Sequence, residues 1–527
     1  AYRLFDYEGA SDAERVIIVM GCGAETVAET VSGLLAKGEK VGVLKPRLYR
    51  PFDGTALLAA LPTTTRAIAV LDRTKEPGAE GDPLYKDVAT AVLDAAGAGR
   101  LPFAQVPRVV GGRFGLSSKE FTPGMVCSVF DNLHSLSPRN HFTVGIVDDV
   151  THSSLPWEER NAPAQNSKPF ECLFYGLGSD GTVSANKNSI KIIGDCTDLH
   201  AQGYFVYDSK KSGAVTVSHL RFGQQPIRSA YLIGDDRARY VGCHQTIFLE
   251  KFDMLKKAAQ EAVFVLNTSL SQDQVWQSLP RSAQQQMLQK NISLYIIDAY
   301  EVARQSGMGR RINTVMQTCF FAISGVLPRA EAIQQIKASV EKTYGRKGRD
   351  ITRRNFEAID NTLAALIKVP LPAEVSSSQE IQEVGAAQTD PFLKNVTAEI
   401  IAGRGDRIPV SLLPADGTYP TGTAKIEKRN IGLEIPVWDE QLCTHCGKCA
   451  FVCPHGVIRS KAFPAAAAKD APATFKQVQI KGKDYPQGTH ISYQVAPEDC
   501  TGCSLCVDIC PIRDKSNASH KALNMAA

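Results

Sequence analysis

Eight of the 14 cysteines in this 527-residue chain fall into two runs of identical spacing, C-x2-C-x2-C-x3-C-P. The first run is Cys443, Cys446, Cys449 and Cys453, ending on Pro454; the second is Cys500, Cys503, Cys506 and Cys510, ending on Pro511. Three thiolates this close in sequence can wrap three corners of an iron–sulfur cube, because a tight loop lets successive sulfurs converge on one point. The fourth corner needs a distant residue. In this pattern the last cysteine of each run lies past its loop, at the start of a helix, and serves the other cluster. The spacing therefore predicts one [4Fe-4S] cluster on Cys443, Cys446, Cys449 and Cys510, and a second on Cys500, Cys503, Cys506 and Cys453. Pro454 and Pro511 suit the turn by fixing φ and removing a backbone donor. The alternative is a pair of tetrahedral zinc sites, which use separated C-x2-C pairs and leave one cysteine of each C-x2-C-x2-C unexplained. His445 and His455 flank the first cluster run and read as surface histidines rather than ligands.

The surroundings of the two runs also repeat. DEQLCTHCGKCAFVCPH and PEDCTGCSLCVDICPI match in spacing, and strand-like stretches, GLEIPV and HISYQV, precede them. Such a repeat predicts two half-domains related by an approximate two-fold axis. The other six cysteines, Cys22, Cys127, Cys172, Cys196, Cys243 and Cys319, show no ligand spacing and read as buried inert thiols. In a long chain, clustered cysteines point to metal rather than to a disulfide scaffold.

The rest of the chain must supply the frame. Its length suggests three or four domains. Lys and Arg total 59 against 55 Asp and Glu, and a net charge of +4 gives no field to gather a polyanion, so nucleic acid is not an expected partner. No apolar run reaches the roughly 18 residues of a membrane span. The start, AYRLFDYEGA, is acidic and unlike a signal peptide, so the chain is read as cytoplasmic, with no membrane partner. Starting at Ala1 and ending soon after Cys510, it reads as a fragment.

Near the start, RVIIVM, GCGAET, VAETVSGLLAKG and KVGVLK spell a βαβ unit. A dinucleotide site is not expected there, since Thr26 stands where a third glycine belongs and Lys45 and Arg47 where a ribose-binding acid belongs. HFTVGIVDDV resembles a strand. A second α/β stretch runs from ECLFYGLGSDGTVSANKNSIKIIG to the helix-like RRNFEAIDNTLAALIKVP, which ends at Pro370. Within it Gly176, Gly178, Ser179, Gly181 and Thr182 form a glycine-rich turn between a strand and a helix start, where backbone N–H groups and the helix dipole could hold a phosphate. Lys187, Lys210 and Lys211 could add charge. Glycine turns also shape many α/β sheets, and a Lys-Lys pair also suits a solvated face. Residues 371–430, rich in Pro, Gly, Ser and Thr, read as an extended connector draped over its neighbours; the Arg404-Gly405-Asp406 triplet inside it reads as chance.

Several long stretches, taken in order, carry a resemblance. LDRTKEPGAEGDPLY, GGRFGLSSKEFTPGMVCSVFDNL and HFTVGIVDDVT come first, then YGLGSDGTVSANKNSIKIIG, YFVYDSKKSGAVTVSHLRFG and GMGRRINTVMQTCFFAISGVLP, then PADGTYPTGTAKIEKRNIGLEIPVWDEQLCTHCGKC. Together they make the chain similar to the pyruvate:ferredoxin (flavodoxin) oxidoreductases, the single-chain form of the 2-oxoacid:ferredoxin oxidoreductases. The resemblance implies a multidomain α/β protein: a transketolase C-terminal-like α/β domain over 1–165, a gamma-type, coenzyme A-associated α/β domain over 166–370, the connector over 371–430, and a dicluster ferredoxin-like α+β domain over 431–527. It implies oxidative decarboxylation of pyruvate with coenzyme A to acetyl-CoA and CO2, with electrons passing through [4Fe-4S] clusters to ferredoxin or flavodoxin, in a homodimer. It gives Gly178, Ser179, Gly181, Thr182, Lys187, Lys210 and Lys211 to coenzyme A. Thiamine diphosphate, Mg2+ and a third [4Fe-4S] cluster belong to family parts outside this sequence, so no catalytic residue is assigned here and the chain alone is expected to be inactive. Asp180-Gly181-Thr182 lacks the rest of a diphosphate motif and is not read as a thiamine site. The alternative is a stand-alone iron–sulfur subunit of a multi-subunit 2-oxoacid oxidoreductase.

Overall fold

The computed structural model describes residues 3–163, 168–178, 180–207, 215–309, 311–345, 348–382, 385, 388–423, 426–428, 430–481 and 484–526. The first sheet takes strands β1 (Phe5–Gly9), β2 (Arg15–Val19), β3 (Val41–Pro46), β4 (Ala67–Asp72), β5 (Arg108–Arg113) and β6 (Phe142–Thr143) in the order β1-β3-β2-β4-β5-β6. Only β1 is antiparallel to its neighbour. The central strands RVIIV and AIAVLD are near-continuous apolar runs because both faces are covered. Helices Gly23–Leu35 and Pro123–His134 pack on one face, and Gly54–Ala59 and Pro83–Gly97 on the other.

The turn after β2 is shaped for packing. A Cβ at Gly23 would lie 2.8 Å from the Phe114 ring, so only glycine lets the helix start this close to β5. Lys45, at the end of β3, is buried, and its Nζ donates to Glu8 Oε1 at 2.8 Å and Glu25 Oε1 at 2.9 Å. The place of a ribose-binding acid is thus filled by a lysine already paired. HFTVGIVDDV forms a strand only at Phe142–Thr143, a correction to the longer strand expected. Downstream, the Asp148 carboxylate accepts from the N–H groups of Val150, Thr151 and Ser153 and from the Ser153 hydroxyl, and this turn chemistry overrides the apolar pattern.

The second sheet takes β7 (Phe170–Leu177), β8 (His200–Tyr207), β9 (Val215–Gly223), β10 (Ala238–Cys243), β11 (Ala258–Asn267), β12 (Ser293–Ile297) and β13 (Ile367–Val369) in the order β13-β12-β11-β10-β7-β9-β8. Strands β7, β10, β11 and β12 are parallel, and the rest antiparallel to their neighbours. The helix expected to run to Pro370 spans Arg349–Ala365 and stops. Ile-Lys-Val then forms the edge strand β13, because an open edge beside β12 lets β-branched residues pair.

Glu171 on β7 is buried and accepts from Arg221 Nε and Arg237 Nε, each at 2.8 Å. Arg221, on β9, also donates to Gln202 Oε1 at 3.1 Å. The two sheets meet through polar groups: Glu29 Oε1 accepts from Ser229 and Tyr231 at 3.1 Å, and Glu120 Oε2 from the Leu232 N–H at 2.8 Å. Among the described residues no strand falls between β13 and β14 (Ile435–Trp438), which precedes β15 (Ile458–Pro464), β16 (Val478–Gln479), β17 (Thr489–Val495) and β18 (Leu523–Ala526). Arg404 and Asp406 of the Arg-Gly-Asp triplet are engaged within the chain, Arg404 with Glu399 and Asp406 with the Glu120 N–H. No described helix is long and apolar enough to cross a membrane.

Replacing Glu171 with Ala strands two guanidinium groups, one fully buried, and such losses cost about 3–5 kcal/mol. Urea titration of Glu171→Ala should show a lower midpoint for the second-sheet transition with an unchanged slope, and Glu171→Gln a smaller loss.

Candidate metal centre

The cysteine loops are built by a strand exchange. β14, before the first run, pairs antiparallel with β18, after the second. β17, before the second run, pairs antiparallel with β15, after the first. Each half therefore closes its sheet with a strand from the other, the two-fold arrangement that the repeat predicts.

Within each run the third cysteine opens a short helix, Lys448–Val452 or Leu505–Ile509, and the fourth caps its C-terminal end. This corrects the expectation of a helix beginning at Cys453 and Cys510. The C-x3-C spacing is one helical turn, so the helix lies between the third and fourth cysteines. Each loop needs two left-handed residues, one on either side of its second cysteine: His445 (φ 58°) and Gly447 (φ 71°), and Gly502 (φ 65°) and Ser504 (φ 64°). Glycine fills one such place per loop and a side-chain-bearing residue the other. Equivalent N–H groups point at the first sulfur, His445 N to Cys443 Sγ at 3.3 Å and Gly502 N to Cys500 Sγ at 3.4 Å.

Cys453, Cys500, Cys503 and Cys506 line one pocket, closed by Pro436, Val457, Ile458 and Met525. Cys453 thus stands with the three cysteines of the other run. Cys443 and Cys446 both stand near Cys449, and Cys510 caps a helix in the same apolar cluster as Cys443 and Cys449. Burial, and after it the adjacent thiols, pushes Cys449 and Cys506 up to about 11. Four soft sulfur donors around one pocket, with backbone N–H groups turned toward sulfur, are the donor set of an iron–sulfur cluster. His445 and His455 are half-buried rather than on the surface; His445 Nδ1 accepts from Lys481 N at 3.0 Å, and His455 lines the pocket. Of the six scattered cysteines, Cys22 is exposed and Cys196 half-buried, contrary to expectation, while the other four are buried.

The glycine-rich turn lies at the carboxyl end of β7. Gly181 (φ 89°) caps the helix Thr182–Cys196. Asp180 closes the turn on itself: its carboxylate accepts from Leu177 N at 2.8 Å and Thr182 N at 2.7 Å. Asp180 is thereby engaged with its own backbone. Gly178, Gly181 and Thr182 come together here. Lys187 stands a turn further on, its ammonium 5.4 Å from the centre of the Phe205 ring. Ser179, Lys210 and Lys211 lie outside the described residues.

Sequence reasoning missed His244, which follows β10. It is buried, its Nδ1 is 2.7 Å from Thr182 Oγ1, and its Nε2 is a buried atom without a hydrogen-bond partner among the described residues. The loops after β7 and β10 leave toward opposite sides of the sheet, so this is a topological switch point, where α/β sheets bind ligands. No local motif marks His244; only strand order brings it to Thr182.

Four family models match successive stretches: pyruvate:ferredoxin oxidoreductase core domain II over residues 13–114, pyruvate ferredoxin/flavodoxin oxidoreductase over 171–365, a domain of unknown function over 378–432, and a 4Fe-4S dicluster domain over 442–513. The chain carries successive domains of the pyruvate:ferredoxin/flavodoxin oxidoreductases. It is 54% identical over 526 residues to a putative pyruvate-flavodoxin oxidoreductase of Synechocystis, covering 100% of this chain and 43% of that protein. It is 56% identical over 535 residues to a pyruvate-flavodoxin oxidoreductase of Trichormus variabilis, covering 99% of this chain and 44% of that protein. A pyruvate:ferredoxin oxidoreductase of Moorella thermoacetica is 49% identical over 517 residues, covering 98% of this chain and 43% of its own length. The chain thus spans less than half the length of these relatives.

Burial lowers His244 to about 4. A histidine held below its unfolded value of about 6.5 leaves stability intact above that pH and removes it as the pH falls toward 4. Thermal melts should show such a loss between about pH 6.5 and 4, with the His244 share absent in His244→Gln. Thr182→Val, which leaves the buried imidazole unpaired, should cost about 1–3 kcal/mol, and Thr182→Ser much less.

Proposed function

We propose that this chain carries the electron relay of a pyruvate:ferredoxin (flavodoxin) oxidoreductase, which joins the acetyl group of pyruvate to coenzyme A, releases CO2 and passes two electrons to ferredoxin or flavodoxin. The observation that carries this reading is Cys453 lining one pocket with Cys500, Cys503 and Cys506. That quartet would hold one [4Fe-4S] cluster, and Cys443, Cys446, Cys449 and Cys510 the other. Bound clusters would supply one-electron relay at these two points. The chain's own contribution is to fix the sulfurs, exclude water with Pro436, Val457, Ile458 and Met525, and aim the N–H groups of His445 and Gly502 at sulfur, a tuning device for such sites.

The acyl acceptor is assigned to the second sheet. Gly178, Gly181 and Thr182 at the switch point, with Ser179, Lys187, Lys210 and Lys211, are the residues proposed for coenzyme A. Support comes from the placement of the turn and from the Nε2 of His244 beside it, which has no hydrogen-bond partner among the described residues. The carboxylate of Asp180 makes the first turn itself a poor place for a phosphate, so the polar pantetheine portion suits it better.

Anaerobic reconstitution should load about eight irons, and Cys453→Ser and Cys510→Ser should each fall to about four. Zinc in place of iron, or no selective loss in either variant, sinks the assignment. Chemically reduced chain should pass electrons to a flavodoxin in stopped-flow mixing, and the cluster-deficient variants should not.

A further inference from the structure

Among its described residues, the stretch matched by the model of unknown function forms no strand, and it hydrogen-bonds to its neighbours at several points. Just before that stretch, Ser376 N and Ser377 N donate to Gln284 Oε1 at 2.8 and 2.9 Å. At its beginning the Arg281 N–H donates to Gln379 O at 2.7 Å. In its middle, Lys119 Nζ of the first sheet's unit donates to the carbonyls of Gly405 and Asp406 at 3.0 Å. There too, Val410 N donates to Val147 O at 2.9 Å.

At its end it reaches the cysteine loop. Lys251 Nζ, from the connection between β10 and β11, donates to the Lys428 carbonyl at 2.7 Å. The Lys428 ammonium donates to Asp499 Oδ2 at 2.9 Å and stands 3.8 Å from Glu498 Oε2. Asn430 N donates to Glu498 O at 2.8 Å, and Ile431 is buried. A Cβ at Gly432 would lie 3.0 Å from Cys500 O and 3.5 Å from Gly502 N, so the backbone rests on the loop itself. One residue therefore bridges two units: its carbonyl is gripped from the second sheet, and its side chain grips the acid adjoining Cys500.

We propose that Lys428 is a positioning residue for the electron relay, and that the segment ending at Gly432 serves to hold the Cys500–Cys506 loop at a fixed place against the β10–β11 connection. That connection begins at His244, so the clamp joins the switch-point crevice to the cysteine loop. Holding the loop also holds the Gly502 N–H against Cys500 Sγ, and the ammonium adds positive charge beside this cluster and not the other. Both effects favour the reduced, more negative state. The proposal rests on the reading that Cys453, Cys500, Cys503 and Cys506 hold a cluster.

The test compares anaerobically reconstituted wild-type chain, Lys428→Met and Lys428→Arg. Iron is counted, amide exchange is followed by mass spectrometry, and both potentials are read by EPR-monitored titration. In Lys428→Met, exchange should quicken several-fold over residues 498–502 and 247–252 while 443–449 stays unchanged. One potential should move to a more negative value while the other stays, and Lys428→Arg should restore both readouts. Selective loss of one cluster in Lys428→Met alone also supports the clamp. Unchanged exchange over both stretches, unmoved potentials, or equal movement of both potentials overturns it. Wild-type protein loading no second cluster overturns the underlying cluster reading instead.

Discussion

The C-terminal part depends on an exchange between its two halves. Cys453 leaves its own loop and lines the pocket of the other, and the sheets obey the same rule, with β14 closed by β18 and β17 by β15. Neither half can finish its sheet or its sulfur set alone. The apolar core there is small, built around Trp438, Val457, Ile458, Ile491, Tyr493 and Leu523, with the cysteines themselves among its members. A core of that size leaves much for metal–sulfur bonds to contribute, so folding and ligand supply are coupled.

The α/β parts are held by a different balance. Each sheet carries packed apolar residues on both faces, but their junction is polar. Glu29 and Glu120 reach from the first sheet's unit to Ser229, Tyr231 and the Leu232 N–H, and burial raises both carboxyls above their usual range. Arg221, Arg237 and Lys257 provide compensating charge. His219, in the same region, accepts from the Ile233 N–H and is pushed down to about 3 by burial. A junction made of directed hydrogen bonds fixes orientation more sharply than an apolar one of equal area, which suits a protein whose units must keep their separation.

The connecting stretch hydrogen-bonds to each of the other parts. With no strand among its described residues, it borrows partners from each unit, ending with Lys428 between Lys251 and Asp499. Its composition marks it as a connector, but nothing in the string of residues says which backbone groups it will meet.

Much was legible beforehand because it is local. Cysteine spacing, the repeat, the buried strands RVIIV and AIAVLD, and the missing third glycine after β2 are written in short windows. What was misread involved competition: Asp148 turning a strand-like run, an open edge turning a helix end into β13, and solvent reaching Cys22. What was invisible involved distance, as with His244 meeting Thr182 and Lys428 meeting Asp499. By itself the sequence determined which residue types are available and which elements they favour, since spacing and periodicity act between near neighbours. Only the tertiary structure decided which sulfurs share a pocket, which carboxylates are already engaged and which lysine bridges two units, because those outcomes depend on packing and desolvation between groups far apart in the chain.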